Sequence, residues 1–103
     1  MIAAVKDLPP RLRPMSQEDV AAVAALEQSA YDFPWSAGIF RDCLLAGYTA
    51  VVLEADAELV GYAVMSVAAG EAHLLNICLA DRLRRQGIGR GLLRHMLELA
   101  GQE

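Results

Sequence analysis

Cysteine is scarce in this sequence. Among 103 residues only two are cysteine, and Cys43 and Cys78 lie far apart with no CxxC spacing or histidine pairing. A disulfide framework or a zinc site needs more ligands at shorter spacings, so neither is predicted. We therefore expect a protein that uses no metal and lies in a reducing compartment, the cytoplasm.

Long apolar runs are also absent. The longest uncharged stretches are residues 44–53 and 59–70, whereas a membrane-spanning helix needs about 20 apolar residues. The beginning, MIAAVK, places apolar residues before its first lysine, which is the reverse of a secretory signal. Disorder is not expected either, because 55% of the residues are hydrophobic. The sequence predicts one globular domain over residues 1–103, with no membrane association.

Charge is unevenly distributed along the chain. The formal net charge of −4 argues against nucleic-acid binding. Yet one window of 13 residues without an acid holds five of the nine basic residues: Arg82, Arg84, Arg85, Arg90 and Arg94. A local basic focus on an acidic chain favours a compact anionic ligand, although a solvated helix face has the same composition.

The first third of the chain predicts a short strand and a helix. After a loose leader over residues 1–10, residues 11–15 fit an edge strand. Ser16 is typical of a helix N-cap, with Asp19 three residues later as its capping-box partner. An apolar stripe at helical spacing follows, and Pro34 is expected to stop that helix.

A second helix and a hairpin are predicted next. Ser36 can cap a helix that ends at Gly47, where a C-terminal glycine is favoured. The period then changes, because residues 48–54 and 59–67 are apolar and β-branched, and the residues between them fit a hairpin turn.

The last part of the chain predicts one more strand and one more helix. Residues 72–80 form an apolar run without clean alternation, which is typical of a strand buried on both faces. From about Gly87 an amphipathic helix follows, placed to cross back over the sheet. The complete order is β-α-α-β-β-β-α, which makes an α/β layer.

The junction between that strand and helix carries the main chemical signal. Arg84 precedes Gly87 and Gly89 in an R-x-x-G-x-G pattern that opens a helix. A pyrophosphate needs converging backbone N–H donors and positive charge, which a glycine-rich helix N-terminus with nearby arginines supplies. The pattern lacks the Lys-Ser/Thr ending of a P-loop, and Leu92 stands where a Rossmann fingerprint needs its third glycine. The alternative is that Gly87 and Gly89 serve only to form a turn.

This motif resembles the acetyl-coenzyme A pyrophosphate loop of the GNAT superfamily of N-acetyltransferases. More narrowly, the chain is similar to the bacterial ribosomal-protein-alanine N-acetyltransferases, which acetylate the α-amine of a protein N-terminus. The resemblance runs from about Arg13 to Ala100 and is carried by three segments: residues 33–36 (FPWS), 71–77 (EAHLLNI) and 84–97 (RRQGIGRGLLRHML). It implies an acetyltransferase that uses acetyl-coenzyme A as co-substrate, with a ribosomal protein as acceptor.

The resemblance also assigns cofactor-binding residues. Main-chain groups of Ile77, Cys78 and Leu79 are expected to contact the acetyl group and the pantetheine arm. The pyrophosphate is expected at the loop and helix start, formed by Arg84, Arg85, Gln86, Gly87, Ile88, Gly89 and Arg90.

The family's pattern extends further than this sequence. In that family a fifth strand, a fourth helix and a closing hairpin carry the catalytic base and acid, so these are expected beyond Glu103. The resemblance thus implies the N-terminal portion of an α/β fold with a mixed, mainly antiparallel sheet and flanking helices. Its exposed strand edge favours a homodimer. A non-catalytic coenzyme A-binding or regulatory module of the same fold is the alternative function.

Several residues have both a functional and a structural interpretation. Glu71 could substitute as a base, but a polar residue at a strand start is common. Cys78 has no His or Asp pairing that supports a nucleophile. Trp35 fits equally well in a peptide-binding groove or in a hydrophobic staple, and Asn76, if buried, needs hydrogen-bond partners and could fix a strand irregularity.

Overall fold

The computed structural model describes residues 10–102. In that range the sheet has four strands in the order β1-β2-β3-β4, with all three pairings antiparallel. The strands are β1 (Arg11–Pro14), β2 (Thr49–Ala55), β3 (Glu58–Ala68) and β4 (Glu71–Leu79). The helices are α1 (Val20–Ala30), α2 (Ala37–Leu45) and α3 (Ile88–Gly101). The predicted order of elements is confirmed, and the predicted leader lies, apart from Pro10, outside the described residues.

Alternating side chains of the central strands bury both faces of the sheet. One face packs against α1 and α2 in a core that includes Val23, Phe40, Val52, Tyr62 and Val64. The opposite face packs against α3 in a core that includes Val51, Ala63, Met65, Leu92 and Met96. The period of two in β2 and β3 therefore separates two apolar layers, and α3 lies where a helix crossing back over the sheet was predicted.

The predicted capping box joins three elements. The Ser16 N–H donates to Asp19 Oδ2 at 2.8 Å, across a 3₁₀ turn that leads into α1. Arg13 of β1 donates to both Asp19 oxygens, each at 2.8 Å, and its Nε donates to Glu54 of β2 at 2.9 Å. The hydrogen bonds from Arg13 lower the pKa of Asp19 to about 2.

The turns lie where the sequence predicts them, and the one difference concerns the end of α1. Gly47 has a φ of 82° after α2, as predicted for a C-terminal glycine. The β2–β3 hairpin turns through Asp56 and Ala57, both at positive φ, which matches the right-handed twist of the strands. Helix α1 ends at Ala30 rather than at Pro34, because Tyr31 is already extended.

The predicted burial of β4 on both faces is wrong for its first half. Residues 71–75 are exposed because β4 lies at one edge of the described sheet, and only its C-terminal half lies beneath the helices. A bulge breaks its alternation, since Asn76 pairs with Val64 whereas Leu74 pairs with Met65. The weak alternation therefore reflects this bulge rather than two buried faces.

Candidate active site

The end of β4 and the start of α3 form a turn suited to an anion. Gly87 precedes α3 with a φ of 78°, and Arg85 adopts the same left-handed region at 67°. The N–H of Gly91 donates to Gly87 O at 3.2 Å in the first turn of the helix. The N–H groups of residues 88–90 come before that bond and have no helical acceptor, so they and the helix dipole attract negative charge.

This loop is held by its own hydrogen bonds. The Arg84 N–H donates to Asp81 O at 3.1 Å, and the Gln86 side chain donates to Arg82 O at 2.9 Å. Arg85 keeps a left-handed backbone that costs an L-residue about 1–2 kcal/mol. Strain of this kind persists where the surrounding structure determines it, and it often accompanies binding sites.

Two of the five clustered arginines form ion pairs. Arg82 contacts Glu58 at 3.0 Å, and Arg84 contacts Asp81 at 3.1 Å, both at exposed positions where such pairs contribute little stability. None of the ion pairs found in residues 10–102 involves the other three arginines of the window, Arg85, Arg90 and Arg94. The positive charge near the start of α3 is therefore only partly neutralised.

A cavity of about 420 Å³ opens between the end of β4 and the start of α3. Five of the ten residues assigned to the cofactor line it, together with the last residue of α1 and the residue after it: Ala30, Tyr31, Ile77, Cys78, Leu79, Arg84 and Gly89. The side chain of Ile88 packs instead into the apolar cluster around Val60, so its contribution is limited to its N–H. Arg85, Gln86, Gly87 and Arg90 lie in the adjoining loop and first turn.

The edge of β4 presents main-chain groups to this cavity. Ile77 O accepts a hydrogen bond from the Tyr31 hydroxyl at 2.7 Å, and Leu79 O accepts from Arg84 Nε at 3.3 Å. Both carbonyls therefore face away from β3. A pantetheine arm carries amide groups that pair with such an edge as a strand would.

Cys78 is a core residue at this edge. It is 4% exposed and belongs to the apolar cluster beneath α1 and α2. Burial raises the pKa of its thiol, which disfavours the nucleophilic thiolate. This agrees with its interpretation as structural.

A second cavity, of about 380 Å³, lies on the other side of Tyr31. It combines three aromatic side chains, the bulged part of β4 and one acid: Glu27, Tyr31, Phe33, Trp35, Leu74, Leu75, Asn76 and Ile77. Trp35 lines this cavity and also contacts the Phe40 ring, with centroids 5.3 Å apart. The packing interpretation of Trp35 is confirmed, and peptide binding in this cavity stays a prediction.

Glu27 was not singled out from the sequence, although it is at the centre of this region. Its side chain is 2% exposed. Oε1 accepts hydrogen bonds from the Tyr62 hydroxyl and from Asn76 Nδ2, the latter at 2.9 Å. Oε2 accepts a hydrogen bond from the backbone N–H of Trp35 at 2.9 Å. One signal could have found it, because Glu27 lies four residues after Val23, on the buried stripe of α1.

The structure does not bring Glu71 to either cavity. Glu71 lies at the beginning of β4, its side chain is 71% exposed, and it contacts the exposed His73 at 3.5 Å. Asn76, by contrast, follows the bulge and has a partner in Glu27, as expected of a polar residue that fixes a strand irregularity.

Within residues 10–102 no cluster of three or more His, Cys, Asp and Glu side chains could hold a metal ion. No helix in that range is long and apolar enough to cross a membrane.

Similarity to known proteins points to one family. The family model for acetyltransferases of the GNAT family matches residues 19–103. The [ribosomal protein bS18]-alanine N-acetyltransferase of Salmonella typhimurium is 34% identical over 84 residues, which are 82% of this chain and 57% of that protein. The chain thus spans little more than half the length of this relative.

Solved structures share the fold. The crystal structure of the ribosomal-protein-S18-alanine N-acetyltransferase from Escherichia coli superimposes with a TM-score of 0.84 at 29% identity, covering 91% of this chain and 61% of that one. The PaiA N-acetyltransferase from Thermoplasma acidophilum, solved in complex with coenzyme A, has a TM-score of 0.77 at 18% identity, covering 92% and 74%. Because the family model matches residues 19–103, which are most of the chain, this chain belongs to the GNAT family of acetyltransferases.

Proposed function

We propose that this chain binds acetyl-coenzyme A and contributes to transfer of its acetyl group to the N-terminal α-amine of a protein. The observation that carries the proposal is the turn at Arg85 and Gly87, which directs the first N–H groups of α3 beside a cavity at the β4 edge. The relatives named above support an alanine at the N-terminus of a ribosomal protein as the acceptor. A cytoplasmic location follows from such an acceptor.

The residues fit acetyl-coenzyme A in two places. The free N–H groups of residues 88–90 and the cationic Arg85 and Arg90 suit its pyrophosphate. The outward Ile77 and Leu79 main chain suits the pantetheine arm. When bound, acetyl-coenzyme A supplies an activated acetyl thioester, which an uncharged amine attacks as the thiol leaves. Residues 1–103 then form one cofactor-binding part of an N-acetyltransferase domain, with no role for a metal.

Calorimetric titration tests cofactor binding. The chain should bind acetyl-coenzyme A at one site and should not bind ATP. Arg85→Gln should weaken binding about tenfold or more, because a charge-assisted hydrogen bond contributes about 1.5–3 kcal/mol. Arg41→Gln, which removes an exposed charge from α2, should leave the affinity unchanged. No binding by folded protein would refute the proposal.

Turnover separates the proposal from a non-catalytic coenzyme A-binding module. Incubation with acetyl-coenzyme A and a peptide that begins with alanine should give a peptide acetylated at its α-amine, detected by mass spectrometry. Binding without any acetylated product, both by this chain and by a chain extended past Glu103, would favour the regulatory or assembly module, and the exposed edge of β4 would then be the surface to test for a homodimer.

A further inference from the structure

Glu27 is a buried carboxylate without a cationic partner. It is 2% exposed, and its three hydrogen bonds come from neutral donors: the Tyr62 hydroxyl, the Asn76 amide and the Trp35 N–H. None of the ion pairs within residues 10–102 includes Glu27. Buried charges in proteins are normally paired, so the missing positive charge is a property of this site that needs an explanation.

The hydrogen bonds leave one acceptor position free. Oε1 accepts two bonds, which fills its capacity, whereas Oε2 accepts only the bond from the Trp35 N–H. All three partners donate to the carboxyl group, which suits an ionised carboxylate. Oε2 therefore has room for one more donor.

The surroundings of Glu27 suit a cation. Glu27 forms part of the wall of the 380 Å³ cavity, together with the aromatic rings of Tyr31, Phe33 and Trp35. Aromatic faces attract cations, and a cation in a partly desolvated cavity gains more from a carboxylate than it does in water. The described lining of this cavity includes no basic side chain that would repel one.

We propose that Glu27 binds the protonated amine of the acceptor, a primary ammonium, against the aromatic wall of this cavity. The proposal deepens the proposed function and depends on it for the ligand's role as acceptor. Glu27 holds the ammonium form while the acceptor binds, and a separate group removes the proton before attack.

Binding of matched peptides in the absence of acetyl-coenzyme A tests the proposal. The probes are Ala-Ala-Ala amide and its propionyl analogue, which has the same shape without the amine. Trp35, the single tryptophan of the sequence, lines the cavity and reports binding by fluorescence. At pH 6.5 the amine peptide should bind about tenfold to a hundredfold more tightly, as expected for a charge-assisted hydrogen bond. Equal affinities, or no binding of either peptide, would overturn the proposal.

The pH dependence separates charge recognition from a structural role. A peptide α-amine has a pKa near 8, so its advantage should fall about tenfold by pH 9. Nα-acetyl-lysine amide keeps the charge of its ε-ammonium group at pH 9. If it still binds more tightly than the propionyl peptide at that pH, the site accepts any primary ammonium. Tyr31, Tyr62 and Cys78 interact electrostatically with Glu27. Ionisation of any of them would add negative charge and strengthen cation binding, the opposite of the expected decline.

A charge-neutral variant completes the test. Glu27→Gln should abolish the advantage of the amine peptide and leave the affinities for the propionyl peptide and for acetyl-coenzyme A unchanged. Glu18→Gln, which removes an exposed carboxylate just before α1, should behave as the wild type. If Glu27→Gln does not fold, the comparison of the amine and propionyl peptides on the wild-type chain still tests the proposal. Failure to bind acetyl-coenzyme A would refute the proposed function but would not change the peptide result.

Discussion

Gly61 of β3 offers a test of how closely the cofactor cavity depends on strand packing. A Cβ at this position would lie 2.7 Å from Leu79 Cδ2 and 3.0 Å from Cys78 O, against 3.4–4 Å for ordinary contact. Gly61→Ala therefore forces the Leu79 side chain to move, since its methyl group yields more easily than the backbone. Leu79 lines the cavity and lies 3.3 Å from the Cβ position of Gly89, so its movement alters the cofactor side.

The expected loss of stability is the difference between two effects. Inserting a methyl group into a packed site costs about 1–3 kcal/mol, and the lower unfolded-state entropy of alanine offsets about 0.5–1 kcal/mol. The net loss lies between about 0 and 2.5 kcal/mol, and its middle value of about 1 kcal/mol lowers Tm by about 4–8 °C in a domain of this size. Thermal and urea unfolding measure it, and titration with acetyl-coenzyme A should show a weaker affinity.

A double-mutant cycle identifies the contact responsible. In a Leu79→Ala background the contact with Leu79 Cδ2 is gone and only Cys78 O lies close to the new methyl group, at 3.0 Å, so the cost of Gly61→Ala should fall to near zero. The control Gly91→Ala meets nothing within 4 Å inside α3, and it should stabilise by about 0.5–1 kcal/mol. An equal loss from Gly61→Ala with and without Leu79 would refute the reasoning.

Two other predictions concern stability. The lowered pKa of Asp19, about 2 against a usual 3.8, means that its interaction with Arg13 stabilises fully above about pH 4 and is lost as pH falls through 2. Unfolding at different pH values should show that the deficit of Asp19→Asn, about 2 kcal/mol at pH 6, disappears near pH 2, and a constant deficit would contradict this. Ala57→Gly should stabilise by about 1 kcal/mol, because Ala57 has a φ of 65°. Gly70→Ala, at a φ of 80° in the next hairpin, should destabilise by a similar amount, and the same sign for both substitutions would argue against backbone strain.

Signals confined to a few neighbouring residues predicted most of the fold. The capping box of Ser16 and Asp19, the C-terminal glycine at position 47 and the hairpin turn at 55–58 are all local, and the structure confirms each of them. The burial of β4 was predicted wrongly because it depends on the strand's place in the sheet, which apolar content does not encode. The bulge before Asn76 has no distinct local pattern either.

The two sides of the candidate site differ in how far the sequence predicted them. The proposed cofactor side rests on one contiguous motif, so its residues could be predicted from the sequence, and their role stays a prediction. The proposed acceptor side depends on Glu27, whose partners Trp35, Tyr62 and Asn76 lie 8, 35 and 49 residues further along the chain. Only the fold brings them together, and a lone acid on an apolar helix stripe does not reveal which donors surround it.

The two cavities meet at Ile77, and this geometry bears on how transfer could occur. Tyr31 and Ile77 line both cavities, and the Tyr31 hydroxyl donates to Ile77 O at 2.7 Å. An acetyl group held along the β4 edge would lie on the Leu79 side of Ile77. An amine held by Glu27 would lie on the Asn76 side of the same residue. Direct transfer needs the two reacting atoms about 3–3.5 Å apart. Tyr31 lies one helical turn after Glu27, and its N–H donates to Glu27 O at 3.1 Å, so the end of α1 positions both the carboxylate and the residue that separates the two cavities.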